Sequence, residues 1–184
     1  SFSWEDLSAR YQAELANGFG NLASRTLAMV TRYFDGVVPA AGELTPSDKA
    51  IADVVAAAAV EADAAIERLA IHDAVTSIWT IVDALNGYIT EQEPWALAKD
   101  PANAGRLATV LNTATEGLRA LAVLLSPFMP QATQKLWSAL NVEGSLGALT
   151  AQPIREAGKW NQVPTGTTVG ALEALFPRIE SSAE

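Results

Sequence analysis

Apolar side chains return every three or four residues along most of residues 1–140, and turn-forming residues break that rhythm at a few points. Such spacing lays one apolar stripe along each of several α-helices, and those stripes must be buried against one another. One stripe reads Ile51, Val54, Val55, Ala58, Ala62, Ala65, Ile66 and Leu69, and its many alanines predict close approach of a neighbouring helix. The next reads Ile71, Val75, Ile78, Trp79, Val82, Leu85 and Ile89. Strand pairs, repeats and low-complexity segments are not evident. With 49% hydrophobic and 18% charged residues, the chain has material for a core and too little charge for a disordered segment. The expected fold is an all-α helical bundle of about five helices.

Local signals set the boundaries. Ser3 and Asp6 form a capping-box pattern, with Phe2 and Leu7 placed as a hydrophobic staple. The first helix then runs to about Phe34, presenting Leu15, Phe19, Leu22, Met29 and Tyr33 on one face. Gly18 and Gly20 weaken its middle and allow a bend. Thr45, Pro46 and Asp48 stand as N-cap, N1 and N3 of the second helix. The third ends before Pro94, because the residue preceding proline is pushed out of the α region. A fourth runs from about Asn103 to Ser126 and a fifth from Gln131 to Leu140. After Asn141 glycine and proline recur and periodicity fades. We therefore divide the chain into a bundle, 1–142, and an extended tail, 143–184, that docks back on it through Trp160, Leu175 and Phe176.

The bulk numbers exclude several functions. There is no cysteine, so disulfides and thiolate metal sites are out. No apolar run reaches the ~18–20 residues of a membrane span. The start, SFSWEDLSAR, lacks the basic and apolar regions of a secretory leader. A cytoplasmic protein is expected. A net charge of −9 argues against a broad phosphate-binding surface. One histidine, His72, has no second ligand at metal spacing and reads as a surface or helix-start residue; no metal site is expected. No phosphate-cradling glycine motif is present.

Two places hold residues that could recognise a ligand. Asn17, Asn21 and Arg25 recur every four residues and form one stripe, off the apolar face. Carboxamides and a guanidinium in a row suit base edges, since both present planar, paired hydrogen-bonding atoms. The same pattern also describes a solvated face with a local Asn–Arg contact. The second place is EQEPWALAKD, residues 91–100, where Trp95 follows Pro94 at a helix corner. There it either caps the core or presents its ring outward. Asn86 falls on the apolar face of the third helix and should bond to backbone of a neighbouring turn. Trp4, Trp79 and Trp137 read as core or core-edge residues.

Four stretches carry a family resemblance: GNLASR at 20–25, EQEPWALAKD at 91–100, LLSPFMPQATQKLW at 124–137 and LFPRIE at 175–180. Their order and context resemble the C-terminal anticodon-binding domain of methionyl-tRNA synthetases, over essentially the whole chain. The resemblance implies an α-helical bundle that recognises the CAU anticodon of tRNA(Met). It implies that Trp95 stacks on an unstacked base, beside Pro94, and that Asn21 and Arg25 read base edges, with Asn17 one turn earlier. Stacking and edge recognition suit a single-stranded loop and need no basic surface.

By the same resemblance, the catalytic half lies outside this chain. Its two-histidine motif cannot be formed from one histidine, its lysine-serine loop is absent, and its zinc insertion needs cysteines. Catalytic residues and cofactors are thus expected to be none here, with ATP and methionine implied for the catalytic half. The expected partners are tRNA(Met) and the catalytic domain of the same enzyme, with no DNA, no membrane and a monomeric state. Two alternatives stand beside this reading: the anticodon domain of another class I synthetase, and an acidic helical protein-interaction module.

Overall fold

A helix buried on nearly every side forms the axis of the molecule. In the computed structural model, which describes residues 9–176 apart from the side chains of Arg10 and Tyr11, this helix is α5, Ala104–Leu125. Every residue from Thr113 to Leu125 is buried. A helix apolar on one face needs one neighbour, whereas one buried all round needs a ring of them. The ring consists of α1 (Ala9–Phe34), α2 (Pro46–Glu67), α3 (Ile71–Gln92) and α6 (Pro130–Leu140), all packed on α5. Single helical turns occupy Pro94–Leu97 (α4) and Glu143–Leu146 (α7). The all-α bundle read from the sequence is the fold.

The boundaries follow local chemistry. At the start of α2 the Asp48 carboxylate accepts from the Thr45 N–H at 2.8 Å, the half of the capping box that satisfies an otherwise orphaned donor. Leu69 departs from its expected place on the α2 stripe. It lies beyond the helix end with φ 60° and is 75% exposed, because the left-handed turn carries it off the apolar face. Expectations for Phe2, Ser3, Trp4, Asp6 and Leu7, and for the Pro177–Glu180 part of LFPRIE, lie outside the described residues.

The helix α1 runs unbroken through both of its glycines. Gly18 makes room: a Cβ there would sit 2.7 Å from the Trp79 ring, whereas one on Gly20 would meet the Phe176 ring at 3.4 Å, an ordinary contact. The entropic cost of glycine in a helix is offset at Gly18 by close packing.

After Asn141 the chain is irregular but tied down. Val142, Leu149, Ala157, Val163, Val169 and Leu175 join the core, and Trp160 and Phe176 pack against it. A buried ion pair fastens this segment to α5. Glu116 accepts from the backbone N–H groups of Gln162 and Val163 at 2.7 and 2.9 Å, and from Arg119 Nε at 2.9 Å. Arg119 donates in turn to the carbonyls of Ala157 and Lys159. Farther on, an isolated antiparallel bridge joins Val37 to Thr168, with Val38 N–H donating to the Thr167 carbonyl at 2.8 Å. It is one bridge rather than a ladder, so the fold class is unchanged.

Candidate nucleic-acid interface

Helix α1 presents Asn17, Asn21 and Arg25 to solvent, while Leu15, Phe19, Leu22, Ala23 and Leu27 are buried on its other side. The four-residue spacing that suggested a stripe does place all three outward. Arg32, two turns beyond Arg25, is exposed too and lies over the Tyr33 ring at 5.7 Å. Arg25 and Arg32 thus place two exposed cations on this helix of an acidic molecule.

The corner at Pro94 is built by backbone restriction. The α3 helix stops at Gln92, and Glu93 adopts φ 47° and ψ 60°. Proline at the next position disfavours the right-handed helical conformation there, and a left-handed residue turns the chain sharply. The Glu93 carbonyl then accepts from the N–H groups of Ala96 and Leu97 at 2.8 and 3.1 Å, starting the single turn α4. Pro94 is buried beneath this turn, and Trp95 is 39% exposed. Trp95 stands outside the hydrophobic cluster, so it is the ring-presenting alternative that the geometry supports.

The structure brings the two stretches together. The Arg25 guanidinium carbon lies 5.9 Å from the centre of the Trp95 ring, within cation–π range. A carboxamide, a guanidinium and a partly exposed indole therefore share one surface, from two helices distant in sequence. Planar donors and acceptors beside an aromatic face are what an unstacked base needs: one group to stack on, others to bond its edge. Pro94, by contrast, is buried.

A charged cluster that sequence reading did not assemble lies behind the corner. Asp48, read as the N3 residue of α2, has a fully buried side chain that also receives both terminal nitrogens of Arg106, at 2.7 and 2.9 Å. The Tyr88 hydroxyl donates to the same carboxylate. Arg106 makes a further bond to Gln92 Oε1 at 2.6 Å. Burial alone would raise the Asp48 carboxyl; the bonds from Arg106, Tyr88 and the Thr45 N–H outweigh it and hold the carboxyl at about 2. Burial, then the bond to Asp48, pushes the Tyr88 phenol well above its ordinary value. The pattern gave no local signal, because its members lie on α2, α3 and α5. Asn86 differs from expectation: it is half-buried, with no hydrogen bond among the described residues.

Among the described residues there is no group of acids and histidines able to hold a metal ion. His72 is exposed in the first turn of α3. Among the described residues no helix is long and apolar enough to cross a membrane.

Comparison with known proteins gives one consistent result. Residues 38–184 match the model of the anticodon binding domain of methionyl tRNA ligase. A methionine–tRNA ligase from Streptomyces coelicolor is 52% identical over 98% of this chain, which spans 34% of that protein. One from Caldanaerobacter subterraneus is 37% identical over 100% of the chain, 28% of that protein. The chain thus spans about a third of the curated relatives it matches. Among solved structures, apo methionyl-tRNA synthetase of Mycobacterium tuberculosis aligns with a TM-score of 0.81 and 30% identity, over 92% of this chain and 33% of that one.

Proposed function

The chain belongs to the anticodon-binding domain family of methionyl-tRNA ligases, and we propose that it recognises the CAU anticodon of tRNA(Met) for an enzyme that joins methionine to tRNA using ATP. In this reading Trp95 stacks on an unstacked anticodon base. Asn21 and Arg25 bond to base edges, with Asn17 one turn further along α1. Pro94 fixes the corner from which the indole projects. Adenylate chemistry belongs to a catalytic domain, which is the second partner after the tRNA.

The observation that carries the proposal is the position of Arg25 over the Trp95 ring. Two motifs far apart in sequence converge on one exposed surface, and both bear groups suited to single-stranded bases. One stacked base contributes about 1–3 kcal/mol, and one good bidentate edge contact discriminates by about 1–3 kcal/mol. Neither depends on net positive charge, so the value of −9 is compatible with the role. The nearby Arg25 and Arg32 offer donors for phosphates.

Equilibrium binding of a stem–loop RNA carrying CAU, against the same stem–loop with a changed anticodon, tests this directly. Preferential binding of the CAU loop is expected. Equal affinity for both would overturn the reading.

A further inference from the structure

We infer that Gln92, held by Arg106, is a positioning residue for the stacking surface of Trp95. The inference rests on the proposed function, because it assigns Gln92 a task in the same site. Gln92 is the last residue of α3, separated from Pro94 by Glu93 alone. Glu93 has a left-handed conformation, φ 47° and ψ 60°, that residues with a side chain adopt seldom and only where surroundings enforce it. Pro94 disfavours the right-handed helix at Glu93 but leaves extended conformations open. Something must therefore select the left-handed turn over an extended one. If Glu93 became extended, α4 would swing and Trp95 would leave Arg25.

The Arg106 fork supplies that selection. Its two terminal nitrogens bind the Asp48 carboxylate, and one of them also reaches Gln92 Oε1 at 2.6 Å. Asp48 has no exposed side-chain surface and is bonded in addition by Tyr88, so the fork is anchored on a fixed point. Asp48 lies in the first turn of α2, Arg106 in the first turn of α5, and Gln92 in the last turn of α3. Three helix ends are thus locked together next to the corner. The lock closes on the residue just before the turn, and α5 also packs on the α4 turn that follows. A planar, rigid fork is suited to holding a carboxylate and a carboxamide at once; a lysine, a single point charge on a flexible stem, is not.

The test uses the full 184-residue chain, a CAU stem–loop RNA, and fluorine NMR of fluorotryptophan-labelled protein with the Trp95 signal assigned through Trp95→Phe. Gln92→Met keeps side-chain length but loses the acceptor oxygen, and Gln92→Glu keeps an acceptor. Arg106→Lys keeps the charge beside Asp48 but cannot serve both partners. We expect Gln92→Met and Arg106→Lys to shift the Trp95 signal and weaken RNA binding about three- to tenfold, a part of one stacked base. Gln92→Glu should bind as the parent chain does. On a Trp95→Ala background, Gln92→Met should have no further effect, which a general loss of structure would not produce. The inference is overturned if Gln92→Met binds normally while Trp95→Ala is weakened, or if Gln92→Met costs as much with Trp95 absent. If Trp95→Ala itself binds normally, the stacking role fails, and the positioning role falls with it.

Discussion

Arg25 lies over the ring of Trp95, its guanidinium carbon 5.9 Å from the ring centre, although the two residues belong to α1 and to the turn after α3. A cation on one part of the indole orients the ring, and the exposed remainder is available to a base. If Arg25 and Asn21 also read base edges, their loss should affect discrimination more than overall stability. In the complete enzyme, Arg25→Gln or Asn21→Ala should reduce selection for the CAU anticodon by about 1–3 kcal/mol each, between several-fold and a hundredfold. Methionine activation should stay near normal. Aminoacylation kinetics with cognate and anticodon-swapped tRNA measure this, and equal losses on both would show a structural role.

The Asp48 cluster predicts acid sensitivity. Its carboxyl ionises near 3.8 in an ordinary setting and is held at about 2 in the folded chain. The stabilisation it provides is therefore complete above about pH 4 and is lost as pH falls toward 2. A shift of this size corresponds to about 2 kcal/mol. Chemical denaturation across that range should show stability falling with pH, and Asp48→Asn should flatten part of the fall. At neutral pH Asp48→Ala should cost up to about 3–5 kcal/mol, because Arg106 and Tyr88 lose their common partner. A slope unchanged by Asp48→Asn would contradict the assignment.

The docked tail makes a separate prediction. Glu116 is 2% exposed and accepts from two backbone N–H groups of the tail as well as from Arg119. Glu116→Ala strands those donors and leaves Arg119 without its carboxylate, at a cost of about 3–5 kcal/mol. Truncation after Asn141 should also lower the melting temperature, since it uncovers apolar surface worth about 25 cal/mol per Å². Calorimetry of both variants measures the effect; an unchanged Tm for the truncated chain would refute the docking.

Activity gives a further check. The purified chain should form no methionyl-adenylate, because it matches the anticodon binding domain and spans only about a third of the full-length ligases it resembles. ATP–pyrophosphate exchange above background would overturn that expectation.

What the sequence revealed depended on how far each signal reaches. Thr45, Pro46 and Asp48 announced the start of α2, and Pro94 the end of α3, because caps and proline act on adjacent residues. Val75, Ile78, Val82, Leu85 and Ile89 were legible as core for the same reason: helical spacing is local. The second role of Asp48 was hidden, since Tyr88 and Arg106 come from other helices. Gly18 and Gly20 read as weak points until Trp79 and Phe176 appeared opposite them. Leu69 followed the α2 rhythm but lies past the left-handed turn that ends it. The outward stripe of Asn17, Asn21 and Arg25 was readable from periodicity; its meeting with Trp95 was not, and family resemblance pointed to it. Pro94 was grouped with the site by that resemblance, and the structure places it buried beneath the turn.

The central claim is that the Trp95 ring is a stacking surface, and the most direct measurement pairs aminoacylation kinetics with thermal unfolding for Trp95→Phe and Trp95→Ala in the complete enzyme. A flat ring should substitute for a flat ring, so Trp95→Phe should keep much of the charging efficiency. Trp95→Ala should lose about 1–3 kcal/mol of it, a factor of several to about a hundred. Both variants should remain folded with little change in Tm, because Trp95 lies outside the core cluster. A large drop in stability, near the ~3–5 kcal/mol of a deleted buried aromatic, together with normal charging by the protein that stays folded, would contradict the account.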